Sequence, residues 1–172
     1  MSWEFKVLEF LQGISFDFLD KIMIFVSGLC NNGYIWIFLT LILLISKRYR
    51  KIGITCAIAL IIMQISGNMI FKPLIDRPRP YEIRNIELLI PKPEGSSFPS
   101  GHSFSSFATA TAILMWNRKM GIGAYILAIL VAFSRMYLYV HFPTDILGAL
   151  ILGIIDGVLS YYVVKNYIAK KV

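Results

Sequence analysis

The side chains able to do chemistry fall into three short clusters between Lys72 and Asp145. The first, KPLIDRPRP, runs from Lys72 to Pro80 and sets six residues between Lys72 and Arg79. The second, FPSGHS, brings Ser100, Gly101 and His102 together, and the third, SRMYLYVHFPTD, carries Arg135, His141 and Asp145. Cations at the edge of a low-dielectric slab are costly to leave uncompensated, so an anionic partner explains Lys72, Arg79 and Arg135, and a phosphate group fits. Arginine offers phosphate oxygens a planar fork. Pro-Ser-Gly-His at a helix start adds backbone N–H groups and the positive end of a helix dipole, with Gly101 allowing close approach. His141 and Asp145, four apart across another helix start, can set the carboxylate on one ring nitrogen and leave the lone pair of the other free, which makes a nucleophile.

Each reading has a plainer rival. The basic residues can pair with the acids of the same stretch, Asp76, Glu82, Glu87 and Glu94, which suits Arg77, Arg84 and Lys92 better than the three clustered cations. A histidine near a helix end is often structural, yet both histidines of this chain lie inside the clusters. Ser100 is an alternative nucleophile, although Ser-x-His is a short spacing for activation and no acid follows it.

These clusters need elements to position them. Of the 172 residues 57% are apolar, against the usual 45 to 50%, and they come in long runs that predict an all-α, polytopic membrane protein, with residues 1–172 as one membrane-embedded domain. Cys30 and Cys56 lie in apolar runs and suggest neither a disulfide framework nor a metal site. The net charge of +7 sits at the ends of apolar runs, which speaks for membrane topology and not for nucleic acid.

Residues 1–13 place Trp3, Val7, Phe10 and Leu11 at helical spacing and are expected to form an interfacial segment, retained because it carries two acids, Glu4 and Glu9, and no basic region followed by a cleavage site. Two short spans, Ile14 to Cys30 and Tyr34 to Ser46, are expected to form a tight hairpin around an Asn31-Asn32-Gly33 turn. Ile52 to Phe71 carries no formal charge and is the clearest span. The proline-rich residues 72–99 read as an outer active-site loop. Ser100 caps a fourth helix to about Asn117, Met120 to about Tyr139 is a fifth, and Pro143 opens a sixth to about Val164. Ala149, Gly153 and Gly157 suggest close helix packing within the chain, and midspan Asp156 a structural hydrogen bond. About six membrane-spanning helices result.

Four Lys/Arg in 47–51, two at 118–119 and three in 165–172, with no acid among them, fall on one side if the spans alternate. That side is cytoplasmic by the positive-inside rule. The expectation is a multi-pass cell-membrane protein with cytoplasmic termini and all three clusters at the outer, extracellular or periplasmic, face.

Taken together the clusters resemble the three-part signature of the type 2 phosphatidic acid phosphatase superfamily: Lys-x6-Arg-Pro, Pro-Ser-Gly-His and Ser-Arg-x5-His-x3-Asp. Every position is filled here. The resemblance implies a lipid phosphatase in which His141 attacks phosphorus to give a phosphohistidine, Asp145 orients it, and His102 protonates the leaving oxygen and then activates water. Lys72, Arg79, Ser100, Gly101 and Arg135 would bind the phosphoryl oxygens. The sequence has no Walker-type loop, Asp-rich cluster or Cys/His ligand set, so neither metal nor cofactor is expected. Haloperoxidase relatives share the cradle but are soluble, whereas the motif helices here are apolar. A transporter or other anion-binding membrane protein is the rival class, and it calls for repeated halves that this sequence lacks.

The expected partners are therefore a lipid phosphate and the bilayer, with oligomeric state left open. Small members of the superfamily point to undecaprenyl pyrophosphate, its distal phosphate cradled while Arg77 or Arg84 meets the proximal one. Phosphatidylglycerol phosphate and phosphatidic acid are the alternatives.

Overall fold

A computed structural model describes residues 2–168 and the side chains of residues 3–167. In chain order the helices are α1 (Ser2–Gly13), α2 (Asp17–Leu29), α3 (Tyr34–Ile45) and α4 (Arg50–Met63), the last prolonged by π-helical turns over Gln64–Phe71. Two one-turn helices follow, α5 (Lys72–Ile75) and α6 (Pro80–Ile83), then α7 (Gly101–Trp116), α8 (Arg118–Tyr137) and α9 (Pro143–Val163). The all-α class holds, with no strand among the described residues. Lys170 and Lys171 lie outside those residues.

Helix α7 is the hub. Every residue from Ser103 to Ile113 is buried, and most are small or hydroxylated, so neighbouring helices approach closely. Trp36 of α3 donates to Ser106 Oγ at 2.8 Å, and Trp116 donates to Thr55 Oγ1 of α4 at 2.8 Å. A Cβ added at Gly153 would lie 2.7 Å from Phe107 Cβ, and one at Gly157 would lie 2.5 Å from Thr111 Cβ. The stripe of small residues on α9 thus seats α9 on α7 within the chain. Asp156 accepts a hydrogen bond from Ser160 at 3.2 Å, the structural bond expected of it.

The outward faces are apolar: Phe25, Phe38, Ile61, Ile126 and Ile151 are all exposed. A bundle with a small, hydroxylated centre and an apolar exterior is built for lipid. Arg50–Ile83, Arg118–Tyr137 and Pro143–Tyr167 are each long and apolar enough to cross a membrane.

The first two apolar runs do not form the expected hairpin. Helix α2 and the stretch Asn31–Ile45 follow one another with a bend of 46°, and together they qualify as a fourth candidate span. Asn32 and Gly33 hold φ of 50° and 73°, which kinks the chain without reversing it. The reason is length. At 1.5 Å per residue, 13 and 12 residues reach about 20 and 18 Å, short of the roughly 30 Å of hydrocarbon that the joined pair can cross.

Helix α1 also departs from expectation, because it is built into the bundle and is no free interfacial turn. Phe5 and Leu8 pack with Tyr139 and Phe142, and the Phe5 and Phe142 rings meet edge to face at 5.3 Å. Trp3 and Phe10 stay exposed. This places α1 at the Pro143 end of α9, a full helix length from Lys165. The described parts of the two chain ends are therefore at opposite ends of the bundle, against the expectation that both share a side.

With α1 as a roof, the connection Leu138–Phe142 is buried throughout. Buried loops need partners for their backbone groups. Leu138 N bonds Ser134 O at 2.9 Å, Val140 N bonds Arg135 O at 3.2 Å, and Gln12 of the α1 end donates to Tyr137 O at 2.6 Å. His141 sits in this pinned segment.

Candidate active site

Each cluster reaches one end of the bundle by a different local device. The π-helical end of α4 delivers Lys72 just where Pro73 opens the one-turn α5, and Asp76, at φ 40°, turns the chain away. The stretch that follows folds back on itself: Ser97 N donates to Arg77 O at 2.8 Å, and Tyr81 OH donates to Pro93 O at 2.6 Å. Arg79 lies inside this fold, 3% exposed. Its guanidinium donates to three carbonyls on two stretches of backbone, with Nε to Gly95 O at 2.8 Å, Nη2 to Glu94 O at 3.1 Å and Nη1 to Val140 O at 3.2 Å.

Ser100 is the N-cap residue of α7, but its Oγ pairs with Ser103 Oγ at 3.0 Å and makes no capping bond to the backbone. The first-turn N–H groups of α7 thus stay open to an anion. A Cβ on Gly101 would meet Lys72 Nζ at 3.8 Å, ordinary contact distance. Packing does not demand the glycine; its absent side chain leaves the floor of the cradle clear beside the ammonium group.

Arg135, in the last turn of α8, is 2% exposed. One guanidinium nitrogen, Nη1, donates to Ser27 Oγ, while Nε is buried with no hydrogen-bond partner. Among the described residues none of Lys72, Arg79 and Arg135 forms an ion pair with a carboxylate. All three, and His141, lie within Coulombic range of His102. Two buried arginines and a half-buried lysine, with one unpaired donor and no ion pair to a carboxylate among the described residues, suit an anion.

The His141 ring is 2% exposed. Its Nδ1 faces Ser97 Oγ at 3.5 Å and Asp145 Oδ2 at 3.7 Å, and its Nε2 lies 3.4 Å from Arg79 Nη1. Burial pushes the imidazole down to about 3; the Asp145 carboxylate opposes this, and Arg79 and Arg135 add to it. The ring is neutral at physiological pH, with its proton on the Asp145 side and the Nε2 lone pair turned towards the cations. Asp145 Oδ2 accepts from Ser97 Oγ at 2.5 Å and from Phe142 N at 2.8 Å, while Oδ1 accepts from Arg77 Nη1 at 2.5 Å. His102 Nε2 donates to Asn31 Oδ1 at 3.1 Å, which leaves Nδ1 for proton exchange.

All eight expected site residues thus gather at one end of the bundle. Arg77 and Arg84 do not behave as expected. Arg77 pairs with Glu4 and Asp145, and Arg84 pairs with Glu9 of α1 and stacks on the Phe5 ring at 4.2 Å. Neither is left for a proximal phosphate, and neither pairs with the acids of its own loop. Sequence reasoning missed Ser97, Asn31 and Glu4, whose roles come from contacts 44, 71 and 73 residues apart.

A cavity of about 640 Å³ adjoins the cradle, reaching Lys72, Gly101 and His102 at one end and Ile37, Ile61 and Ile65 at the other. Those three isoleucines are 43%, 59% and 49% exposed on the apolar exterior. Among the described residues no group of three His, Cys, Asp or Glu is placed to hold a metal ion.

Residues 53–169 match the sequence pattern of the PAP2 superfamily. The chain belongs to that superfamily. It is 36% identical to an undecaprenyl-diphosphatase of Sulfolobus acidocaldarius, over 98% of this chain and 80% of that one. It is 32% identical to the undecaprenyl-diphosphatase BcrC of Bacillus subtilis, over 91% of this chain and 82% of that one. Among solved structures, LpxE of Aquifex aeolicus superposes with a TM-score of 0.81 at 24% identity, over 92% of this chain and 94% of that one. In this PAP2 protein the motif cations and both histidines lie at one end of a helical membrane bundle.

Proposed function

We propose that this PAP2 protein is a lipid phosphatase acting on a polyprenyl diphosphate, undecaprenyl pyrophosphate foremost, through a phosphohistidine at His141. One observation carries the reading: the His141 Nε2 lone pair faces buried cations that have no carboxylate partner among the described residues, beside a cavity open to the apolar exterior. The cations suit phosphate and the isoleucine-lined mouth suits an isoprenoid tail, so one substrate needs both. Two relatives named undecaprenyl-diphosphatase, matched over nearly the whole chain, support the choice of head group.

In this mechanism Nε2 attacks phosphorus as the bond to the leaving oxygen breaks, and His102 gives that oxygen a proton. Lys72, Arg79, Arg135 and the open N–H groups of α7 hold the phosphoryl oxygens as charge shifts among them. Asp145 and Ser97 steady the Nδ1 proton while the ring becomes cationic. His102, now a base, takes a proton from water, whose oxygen displaces His141 and releases inorganic phosphate. Ser100 lacks an equivalent base, since its hydroxyl partner is Ser103. The protein cations do the work that a metal does in other phosphatases. EDTA is therefore expected to leave turnover within about twofold, and vanadate to inhibit by copying the five-coordinate transition state. Strict dependence on magnesium would contradict this.

A turnover panel on undecaprenyl pyrophosphate, phosphatidylglycerol phosphate and phosphatidic acid tests the substrate. A kcat/KM for phosphatidylglycerol phosphate tenfold or more above that for undecaprenyl pyrophosphate overturns the first choice.

In this reading the site lies at the outer face. Residues 47–51, 118–119 and Lys165 lie at the opposite end of the bundle, where the positive-inside rule puts the cytoplasm. Five crossings follow, from α2 with α3, α4, α7, α8 and α9, with α1 on the outer side. In a protein lacking Cys30 and Cys56, cysteines at the exposed positions Asn85 and Lys6 should react in intact cells with an impermeant thiol reagent, and one at exposed Lys47 should not. Labelling at Asn85 without Lys6 would restore a cytoplasmic N-terminal segment; labelling at Lys47 alone would invert the whole topology.

A further inference from the structure

Behind the His141–Asp145 pair, on the side away from the cradle, lies a buried network of charges that the phosphatase mechanism leaves without a role. Arg77 Nη1 donates to Asp145 Oδ1 at 2.5 Å and to Thr144 Oγ1 at 2.6 Å. Its Nη2 donates to both oxygens of Glu4, at 2.9 and 3.1 Å, and its guanidinium lies over the Phe142 ring at 4.2 Å. Thr144 Oγ1 donates to Glu4 Oε1 at 2.6 Å. The backbone of Arg77 is anchored as well, since its N–H donates to Ser96 Oγ at 3.0 Å and its carbonyl accepts from Ser97 N at 2.8 Å. The side chains of Glu4 and Asp145 are 4% and 0% exposed, that of Arg77 16%.

We propose that Arg77 and Glu4 are positioning residues of the catalytic pair: Arg77 fixes the carboxylate of Asp145 that orients His141, and Glu4, reaching in from α1, holds Arg77. This rests on the His141 nucleophile reading. Both oxygens of Asp145 are gripped from one loop, Oδ1 by Arg77 and Oδ2 by Ser97, so the plane of the carboxylate is set by how residues 77 and 97 are locked together. A planar guanidinium with two nitrogens committed to two carboxylates can do this; an ammonium group cannot. Charge follows geometry here. Arg77 offsets the negative charge of Asp145, and Glu4 returns part of it. Burial pushes the Glu4 carboxyl up, but the hydrogen bonds from Thr144 and Arg77 outweigh that and hold it below the usual carboxylate value, so it is ionised.

The groups that face His141 are Asp145 on α9, Arg79 and Ser97 in the loop, Arg135 on α8 and, across the cradle, His102 on α7. Arg77 acts on His141 through the first of these. In Arg77→Met, Asp145 loses its cation and holds a proton on His141 more firmly, so the acid limb of the rate profile moves to higher pH. The Glu4→Gln variant keeps the shape of the network and weakens the grip on Arg77.

The test uses the full-length protein in detergent with farnesyl diphosphate as probe, following single-turnover rate constants, which do not depend on how much of the protein is folded. Arg77→Met is expected to lose about 100-fold in rate, the order set by a misplacement of about 1 Å at a catalytic group, with KM unchanged. Glu4→Gln should lose about tenfold, and the double variant no more than Arg77→Met alone, because Glu4 acts on Asp145 through Arg77. A raised KM with an unchanged rate would make Arg77 a substrate contact and overturn the proposal. So would losses that multiply in the double variant, or an acid limb that does not move. Absence of acid-labile phosphoenzyme in the wild type would remove the nucleophile reading itself; phosphoenzyme with wild-type rates in both variants would remove this proposal alone.

Discussion

Replacing His141 with glutamine is expected to abolish turnover, a loss of about 10⁴-fold or more, as for removal of a nucleophile whose partners cannot substitute for it. The same change should leave the protein folded. Asp145 keeps three other partners, Arg77 Nη1, Ser97 Oγ and Phe142 N, so no buried carboxylate is stranded when the ring goes. Val140 on its amino side is held through its carbonyl by Arg79, and Phe142 by packing against Phe5. A monodisperse variant that binds vanadate yet forms no acid-labile phosphoenzyme meets the expectation. Radioactive phosphate trapped on the His141→Gln protein would show that another side chain attacks phosphorus, with Ser100 the first to examine. His102→Gln should differ in kind. His102 serves as proton donor and base, so its loss slows both steps but should still allow a phosphoenzyme to accumulate on a substrate with a good leaving group.

How much of this was legible in the sequence depends on the range of the interactions involved. Helix α9 starts at Pro143 as expected because a first-turn proline and the local bond from Phe142 N to Asp145 are written within four residues. That α9 packs closely within the chain was legible too, since Gly153 and Gly157 announce close approach, though not that its partner is α7. The hairpin expected around Asn31-Asn32-Gly33 failed because a turn signal reports a local change of direction and not its angle; a bend of 46° uses the same residues as a reversal. The buried α1 was missed because its hydrophobic face looks the same whether it lies on lipid or on Tyr139 and Phe142. Arg77 was assigned to substrate for a related reason. Its carboxylates, Glu4 and Asp145, lie 73 and 68 residues away, and a sequence shows its unpaired neighbours more readily than its distant partners. The three motif cations had carboxylates within reach along the chain, Asp76 four residues from Lys72 and Glu82 three from Arg79, yet among the described residues none of the three forms an ion pair.

Arg79 should be the least replaceable cation of the cradle. It is expected to lose about 10³-fold in kcat/KM as alanine, in line with removal of an arginine that stabilises a transferring phosphoryl group, and nearly as much as lysine. Two jobs coincide in this guanidinium. Its Nε and Nη2 close the loop on Gly95 O and Glu94 O, and its Nη1 reaches Val140 O and the edge of the His141 ring, where the phosphoryl group must arrive. Lysine carries the charge but presents one point where the site uses three directions, so it can satisfy the loop or the phosphate and not both. Lys92 provides the contrast. It lies outside the three motifs, with its ammonium group 5.9 Å from the Tyr81 ring centroid and no ion pair among the described residues, and Lys92→Ala should leave kcat/KM within about twofold, as expected of a surface change away from the site. The two jobs of Arg79 can be separated by measuring vanadate inhibition alongside turnover. If the loop alone matters, Arg79→Lys will lose thermal stability and bind vanadate normally once folded. If the cradle matters as argued here, Arg79→Lys will melt near the wild type and yet require at least tenfold more vanadate for half-inhibition, because the oxyanion will have lost the fork that lies against the nucleophile.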